Sequence, residues 1–208
     1  MKKLVCILII STTTVAVSFA QIKNIDKRIA ELKATSVDTL ITYYPYSYGY
    51  QYDLLKVGTC QSFSQKYLIW IKGGRSFIQL FDECYTYNTF PFDAQEVIEI
   101  VKGHFSEIRN EEIKPVQYKT MDNGKETTAT TMVTHANQLS FEFFIQSEVV
   151  KKQIDGYDLN TQYAESTFLN KGETGYNINY TYNQNTYLNR IKNIIEEKLR
   201  RLGSKRSN

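Results

Sequence analysis

The sequence predicts an α+β domain: antiparallel sheet arranged in meanders, with two or three packed amphipathic helices. Three observations carry that expectation. Apolar residues recur at helical spacing near both ends of the chain and once in its middle, and between those stretches the period changes to two. The strand-like runs also follow one another in groups separated by single helices, the order of an antiparallel and not a doubly wound domain.

Taken in order, Ile22, Ile25, Ile29 and Leu32, with Asp26, Lys27, Arg28, Glu31 and Lys33 between them, predict a short first helix. From Val37 β-branched and aromatic residues take over. Thr39 to Tyr44 and Tyr50 to Cys60 read as strands, and Tyr67 to Ile71 and Ser76 to Phe81 flank Lys72-Gly73-Gly74-Arg75, a tight-hairpin signal because glycine tolerates positive φ. Both arms of that hairpin are apolar on nearly both faces, so they are expected to be central strands covered on each side.

A middle helix is expected from Ala94, Val97, Ile98, Val101, Phe105 and Ile108, which form one stripe ending before Pro115. Asp93 and Glu96 have the spacing of a capping box, and Phe92 and Val97 that of a hydrophobic staple. Val116 to Met121, Glu126 to Thr134 and the alternation of Leu139, Phe141, Phe143 and Ile145 then predict a three-stranded meander. Lys151 to Thr174 is weakly patterned and is expected as loop, with one turn of helix around Thr161 to Phe168. Tyr176, Ile178, Tyr180 and Tyr182 alternate with polar residues as a last strand. Leu188, Ile191, Ile194, Ile195, Leu199 and Leu202 form the last helical stripe, with Glu196–Arg200 and Glu197–Arg201 at i,i+4 spacing and Gly203 placed for a C-cap.

The N-terminal segment has the layout of a cleavable export signal. Lys2 and Lys3 precede the apolar run Leu4 to Ile10, and Ser18-Phe19-Ala20 supplies a small-x-small cleavage site before Gln21. A membrane anchor needs about 20 apolar residues, and Leu4 to Ala20 is short and rich in Ser, Thr and Ala. Residues 1–20 are therefore expected to be a signal peptide and residues 21–208 a single α+β domain, periplasmic or extracellular, with no transmembrane span. The order meander then helix occurs roughly over 50–109 and 116–202. It leaves open a duplicated unit supported by element order alone.

Of 25 Lys and Arg residues, loss of Lys2 and Lys3 leaves 23 against 22 Asp and Glu, a balance that predicts no nucleic-acid partner. The basic cluster from Lys198 to Arg206 reads as a solvated helix end. Cys6 leaves with the signal. Cys60 and Cys84 remain, and an oxidising destination permits a disulfide between them, two separate buried thiols being the alternative. A hairpin centred on Gly73-Gly74 puts residue 84 opposite residue 63, three positions from Cys60, while a bridge needs Cα atoms within about 7 Å.

No nucleophile elbow, zinc-protease helix, phosphate loop or dinucleotide fingerprint is present. The histidines are His104, at the margin of the middle helix stripe, and His135, in a turn; no metal site and no cofactor are expected from them. Asp82-Glu83 and Glu111-Glu112 read as charged element ends. Asn179-Tyr180-Thr181 matches a glycosylation sequon. The most unusual feature is tyrosine at every second position, Tyr44, Tyr46, Tyr48, Tyr50 and Tyr52, interrupted by Pro45 and Gly49, which favour an edge or a bend. In an extended chain these rings share one face and offer hydroxyl-tipped aromatic surface to a protein, peptide or carbohydrate, or else cover the core.

Two functional classes follow. One is a small exported, non-catalytic binding or interaction protein of a bacterial envelope, with the tyrosine stripe as its ligand-binding residues. The other is a secreted hydrolase using carboxylates that leave no local motif. A cleft joining two acidic side chains, one with a raised pKa, would mark the second.

Overall fold

The computed structural model describes residues 24–47, 65–82, 84–122, 124–133, 137–165 and 174–204. In chain order they form α1 (Ile25–Ala34), β1 (Thr39–Ser47), β2 (Lys66–Lys72), β3 (Arg75–Phe81), β4 (Phe90–Pro91), α2 (Gln95–Gly103), α3 (Phe105–Asn110), β5 (Gln117–Asp122), β6 (Lys125–Thr130), β7 (Asn137–Ile145), β8 (Glu148–Asp155), α4 (Gly156–Asn160), β9 (Tyr163–Glu165), β10 (Thr174–Tyr176), α5 (Tyr180–Gln184) and α6 (Tyr187–Ser204). The fold is α+β, and every strand pair is antiparallel.

A six-stranded sheet in the order β4-β3-β2-β1-β7-β8 forms the centre. Leu40 and Ile41 are adjacent, point to opposite faces, and are both fully buried, so the sheet is covered twice. On one face Ile25, Ile29 and Leu32 of α1 pack against Leu40, Leu68, Trp70 and Phe81. On the other, α2, α3 and α6 cover Ile41, Ile69, Ile78, Phe141 and Phe143. The expectation that the Gly73-Gly74 hairpin arms are central strands holds. Its register is Lys66↔Phe81, and Gly73 and Gly74 both take positive φ, 58° and 72°.

Five local expectations are corrected. The first strand does not stop at Tyr44 but runs through Pro45 to Ser47; among the described residues it pairs beyond Tyr43 with β7 alone, so Pro45 stands at a local edge, as expected, but not at a bend. Gln146 N–H donates to Asp38 O, in register with the β1–β7 ladder, so even-numbered β1 residues exchange bonds with β7 and Pro45 turns its nitrogen the other way. Pairing with β2 stops at Tyr43, and the missing N–H costs nothing there. Second, the middle helix is divided at His104, and Asp93 does not cap it. Ser76 Oγ accepts from Ala94 N–H at 3.0 Å and donates to Phe92 O, while Asp93 pairs with Lys198. A cap supplied from a distant strand leaves no local signature.

Third, β5 and β6 form a separate hairpin, and β7 pairs with β1 and β8 instead of completing a meander with them. Fourth, much of the segment expected as loop from Lys151 is ordered, as β8, α4 and β9; residues 166–173 lie outside the described set. β8 is an edge strand with only Val150 and Ile154 buried, too sparse an alternation to stand out. Fifth, the alternation from Tyr176 to Tyr182 is not a strand. β10 ends at Tyr176, and α5 begins at Tyr180.

The difference has a specific cause: the buried members of the alternation are polar ones. Asn177 and Asn183 are fully buried, whereas Tyr176, Ile178 and Tyr182 are exposed. Asn177 Oδ1 accepts from Gln117 N–H and Asn179 N–H, and its Nδ2 donates to Thr161 O. Asn183 Oδ1 accepts from Lys114 N–H at 2.9 Å, and its Nδ2 donates to Lys114 O and Asp158 O. Each amide stands in for missing secondary structure, because buried backbone groups need partners. Glu111 acts similarly, its two oxygens accepting from Tyr187 N–H and Leu188 N–H at 2.9 and 2.8 Å, where a carboxylate also favours the start of α6.

Asn183→Ala orphans three backbone groups and is expected to cost roughly 2–4 kcal/mol in chemical unfolding. Tyr118 OH is buried without a partner, so Tyr118→Phe should leave stability unchanged or raise it by up to about 1 kcal/mol. Equal losses from the two substitutions would contradict this assignment of bonds.

Candidate functional site

The tyrosine stripe leads to one end of the central ladder. Beyond Tyr43, β1 has β7 as its partner as far as Ser47↔Asn137. Tyr44 and Tyr46 project on the α1 side of the sheet, both partly exposed, with ring centroids 4.8 Å apart and planes 19° from parallel. Gln153 Nε2 donates to Tyr46 OH at 2.6 Å, fixing the outer ring. Tyr48, Tyr50 and Tyr52 lie outside the described residues, as do Cys60 and His135.

Next to the tyrosines on the same face sits Glu142. It receives Thr42 Oγ1 at 3.2 Å, Lys66 Nζ at 2.9 Å and Lys151 Nζ at 2.8 Å. Burial pushes its carboxyl up, but the bonds and charges of Lys151 and Lys66 together outweigh burial and hold it below the ordinary glutamate range. The cluster joins β1, β2, β7 and β8.

The opposite face of the same ladder end is concave. A cleft of about 610 Å3 lies between the ends of β1 and β7, the α4 helix and α6. By strand alternation, Pro45, Ser47, Asn137 and Leu139 project into this side, as the core residues Tyr43 and Phe141 do. Ser47 Oγ donates to Asn137 Oδ1 at 2.6 Å. Asn160, Lys192 and Glu196 line the other walls. Gly156 closes the corner, since a Cβ there would lie 2.6 Å from Asn137 O. Tyr43 OH donates to Glu196 Oε1 at 2.9 Å, and Lys192 Nζ bonds Glu196 Oε2 at 3.0 Å. Burial, and then the Glu196 charge, raise the Tyr43 hydroxyl far above its usual pKa, so it acts as a fixed donor. Glu196 is thus tied to Tyr43 and Lys192, not to Arg200 as its spacing suggests; Arg201 pairs with Glu197.

The remaining sequence candidates have structural roles. His104 stacks on Tyr187, centroids 4.2 Å apart, and contacts Glu107. Fully buried Asp82 accepts from Cys84 N–H, Tyr85 N–H and Tyr87 OH. The sequon asparagine, Asn179, donates its Nδ2 to Pro115 O and Gln117 Oε1. Among the described residues no group of three or more His, Cys, Asp or Glu could hold a metal ion, and no helix is long and apolar enough to cross a membrane.

Two carboxylates that sequence reading did not single out lie close together on α4 and its cap. Asp155 accepts from Tyr157 N–H and Gln138 Nε2. Burial raises the Asp158 carboxyl above the usual range, aided by Asp155 and opposed by the Val116 N–H bond. Neither residue lines the cleft beside them. Glu142, Lys66, Lys192 and Glu196 were likewise not singled out, because they meet only across the fold.

No family model matches this chain, and neither a curated protein nor a solved structure does.

The Glu142 cluster fixes a pH dependence. A carboxyl depressed in the folded state contributes stability above its unfolded pKa of about 4.3 and loses it as pH falls through the lower folded value. The stability gap between the native protein and Glu142→Gln is therefore expected to be widest near neutrality and to shrink below about pH 4.3. A gap constant from neutral to strongly acidic pH would contradict it.

Proposed function

We propose that this chain is an exported, non-catalytic binding protein of a bacterial envelope, and that its partner seats at the end of the β1–β7–β8 ladder. The observation that carries the reading is the pair of stacked, half-exposed tyrosines on a strand whose other face borders a polar cleft. Amphipathic rings held rigidly on a strand lose little entropy on binding and suit protein, peptide or carbohydrate partners. The sequence features of a signal peptide supply the export half of the proposal. In an oxidising compartment Cys84 pairs with Cys60; in support, Cys84 has a partner beyond the Asp82 turn, and Cys60 is the other cysteine left after cleavage.

The hydrolase alternative is the weaker reading on one specific ground. Asp158, whose pKa is raised, spends an oxygen on Val116 N–H, and neither it nor Asp155 opens onto the cleft. A general acid needs reach to its substrate.

Protein recovered from the envelope or medium should begin at Gln21 and show no free thiol. In that material Tyr44→Ala with Tyr46→Ala should leave Tm nearly unchanged and abolish retention of envelope peptides or glycans that the native protein retains. A fall in stability of the roughly 3–5 kcal/mol typical of losing a buried aromatic would make the stripe core and remove the platform.

A further inference from the structure

We infer that the cleft on the α6 side takes an uncharged, hydroxyl-rich ligand, a short stretch of neutral glycan. The inference rests on the reading of this ladder end as a binding region and adds the chemical class of what it binds.

The cleft, at about 610 Å3, falls in the range of roughly 300–1,000 Å3 usual for small-ligand sites. Its charges are already matched. Lys192 and Glu196 bond each other, and the second Glu196 oxygen is taken by Tyr43 OH. An anion entering here competes with Glu196 for Lys192, and a cation competes with Lys192 for Glu196. Either must replace a partly buried pair whose lysine side chain is only 12 % exposed. A neutral ligand faces no such competition.

The unspent hydrogen-bonding capacity is mixed. Asn137 uses its Oδ1 on Ser47, and among the described residues its Nδ2 donors are unbonded. Asn160 uses its Nδ2 on Gly156 O, which leaves its Oδ1 to accept. Lys192 gives two protons to Glu196 and Asn193 and keeps a third. Donors and an acceptor therefore surround a floor built from Pro45 and Leu139. Hydroxyls, each a donor and an acceptor, satisfy such walls in several orientations, while the C–H faces of a sugar ring lie on the apolar floor. An extended peptide is favoured where a free strand edge offers a backbone ladder. Beyond Tyr43 β1 is unpaired on one side among the described residues, but Pro45 lacks the N–H such a ladder needs, and the other walls are side chains between a sheet face and helices.

Titration calorimetry of the full exported chain tests the inference with three probes of matched length: neutral hexose or N-acetylhexosamine oligosaccharides, uronate oligosaccharides, and an uncharged peptide. The native protein should bind a neutral oligosaccharide in preference to the other two. Asn137→Ala with Asn160→Ala should weaken that binding about tenfold, the effect of two ordinary hydrogen bonds, in protein that circular dichroism shows to be folded at the assay temperature. Glu196→Gln still accepts from Tyr43 but leaves Lys192 unmatched, so it should gain affinity for the uronate. The inference is overturned if no neutral oligosaccharide binds, if peptide or uronate binds the native protein better, or if the Asn137 and Asn160 changes have no effect. In each of those cases the broader binding reading is judged separately, by whether retention of envelope material is lost in the Tyr44→Ala, Tyr46→Ala protein.

Discussion

Leu40, Ile41 and Thr42 are consecutive in β1 and each is fully buried, which requires cover on both faces of the strand at once. One helix cannot provide that. α1 lies over Leu40 on one side, and α6 with α2 lies over Ile41 on the other, so chain segments from both ends must meet across the sheet. The polar members of the strand are accommodated within the same constraint. Thr42 finds Glu142, and Tyr43 finds Glu196, because a buried hydroxyl without a partner is costly.

The placement of the candidate site follows from where that double cover ends. β2 leaves β1 at Tyr43 and β7 continues to Ser47, so among the described residues the last part of β1 is held on one edge only. On the α1 side the apolar contact gives way to Glu142 between two lysines and then to the stacked tyrosines. On the α6 side the core gives way to the Lys192–Glu196 pair and the amides. Both faces change from apolar to polar at the same level of the ladder, and Pro45 fits there because its nitrogen is turned away from β7.

Elements with a strong period were legible in the sequence: α1, the Gly73-Gly74 hairpin, the first part of the middle helix, and α6. Their side chains are set by a single rule, apolar toward the sheet. The region from β8 to α5 was not legible: β8 buries only Val150 and Ile154, and between Tyr176 and Asn183 the rule is reversed. Asn177 and Asn183 are buried to bond backbone groups, while Tyr176, Ile178 and Tyr182 stay outside, and a hydrophobic pattern read along the chain inverts the true faces. Two of the stripe tyrosines were found because they are neighbours in sequence. Glu142 and Lys66, 76 residues apart, and Tyr43 and Glu196, 153 apart, become partners only through strand order and helix packing, which local spacing does not encode.

The central claim is that doubly buried β1 is the rigid member from which both faces of the site are hung. Native-state hydrogen exchange tests it most directly, residue by residue. The account predicts that amides of Leu40 to Tyr43, with their partners in β2 and β7, exchange only through global unfolding, while those of the β5–β6 hairpin, largely exposed in β6, exchange through local opening at much lower free energy. Exchange of the β1 amides as fast as those of β6 would contradict it.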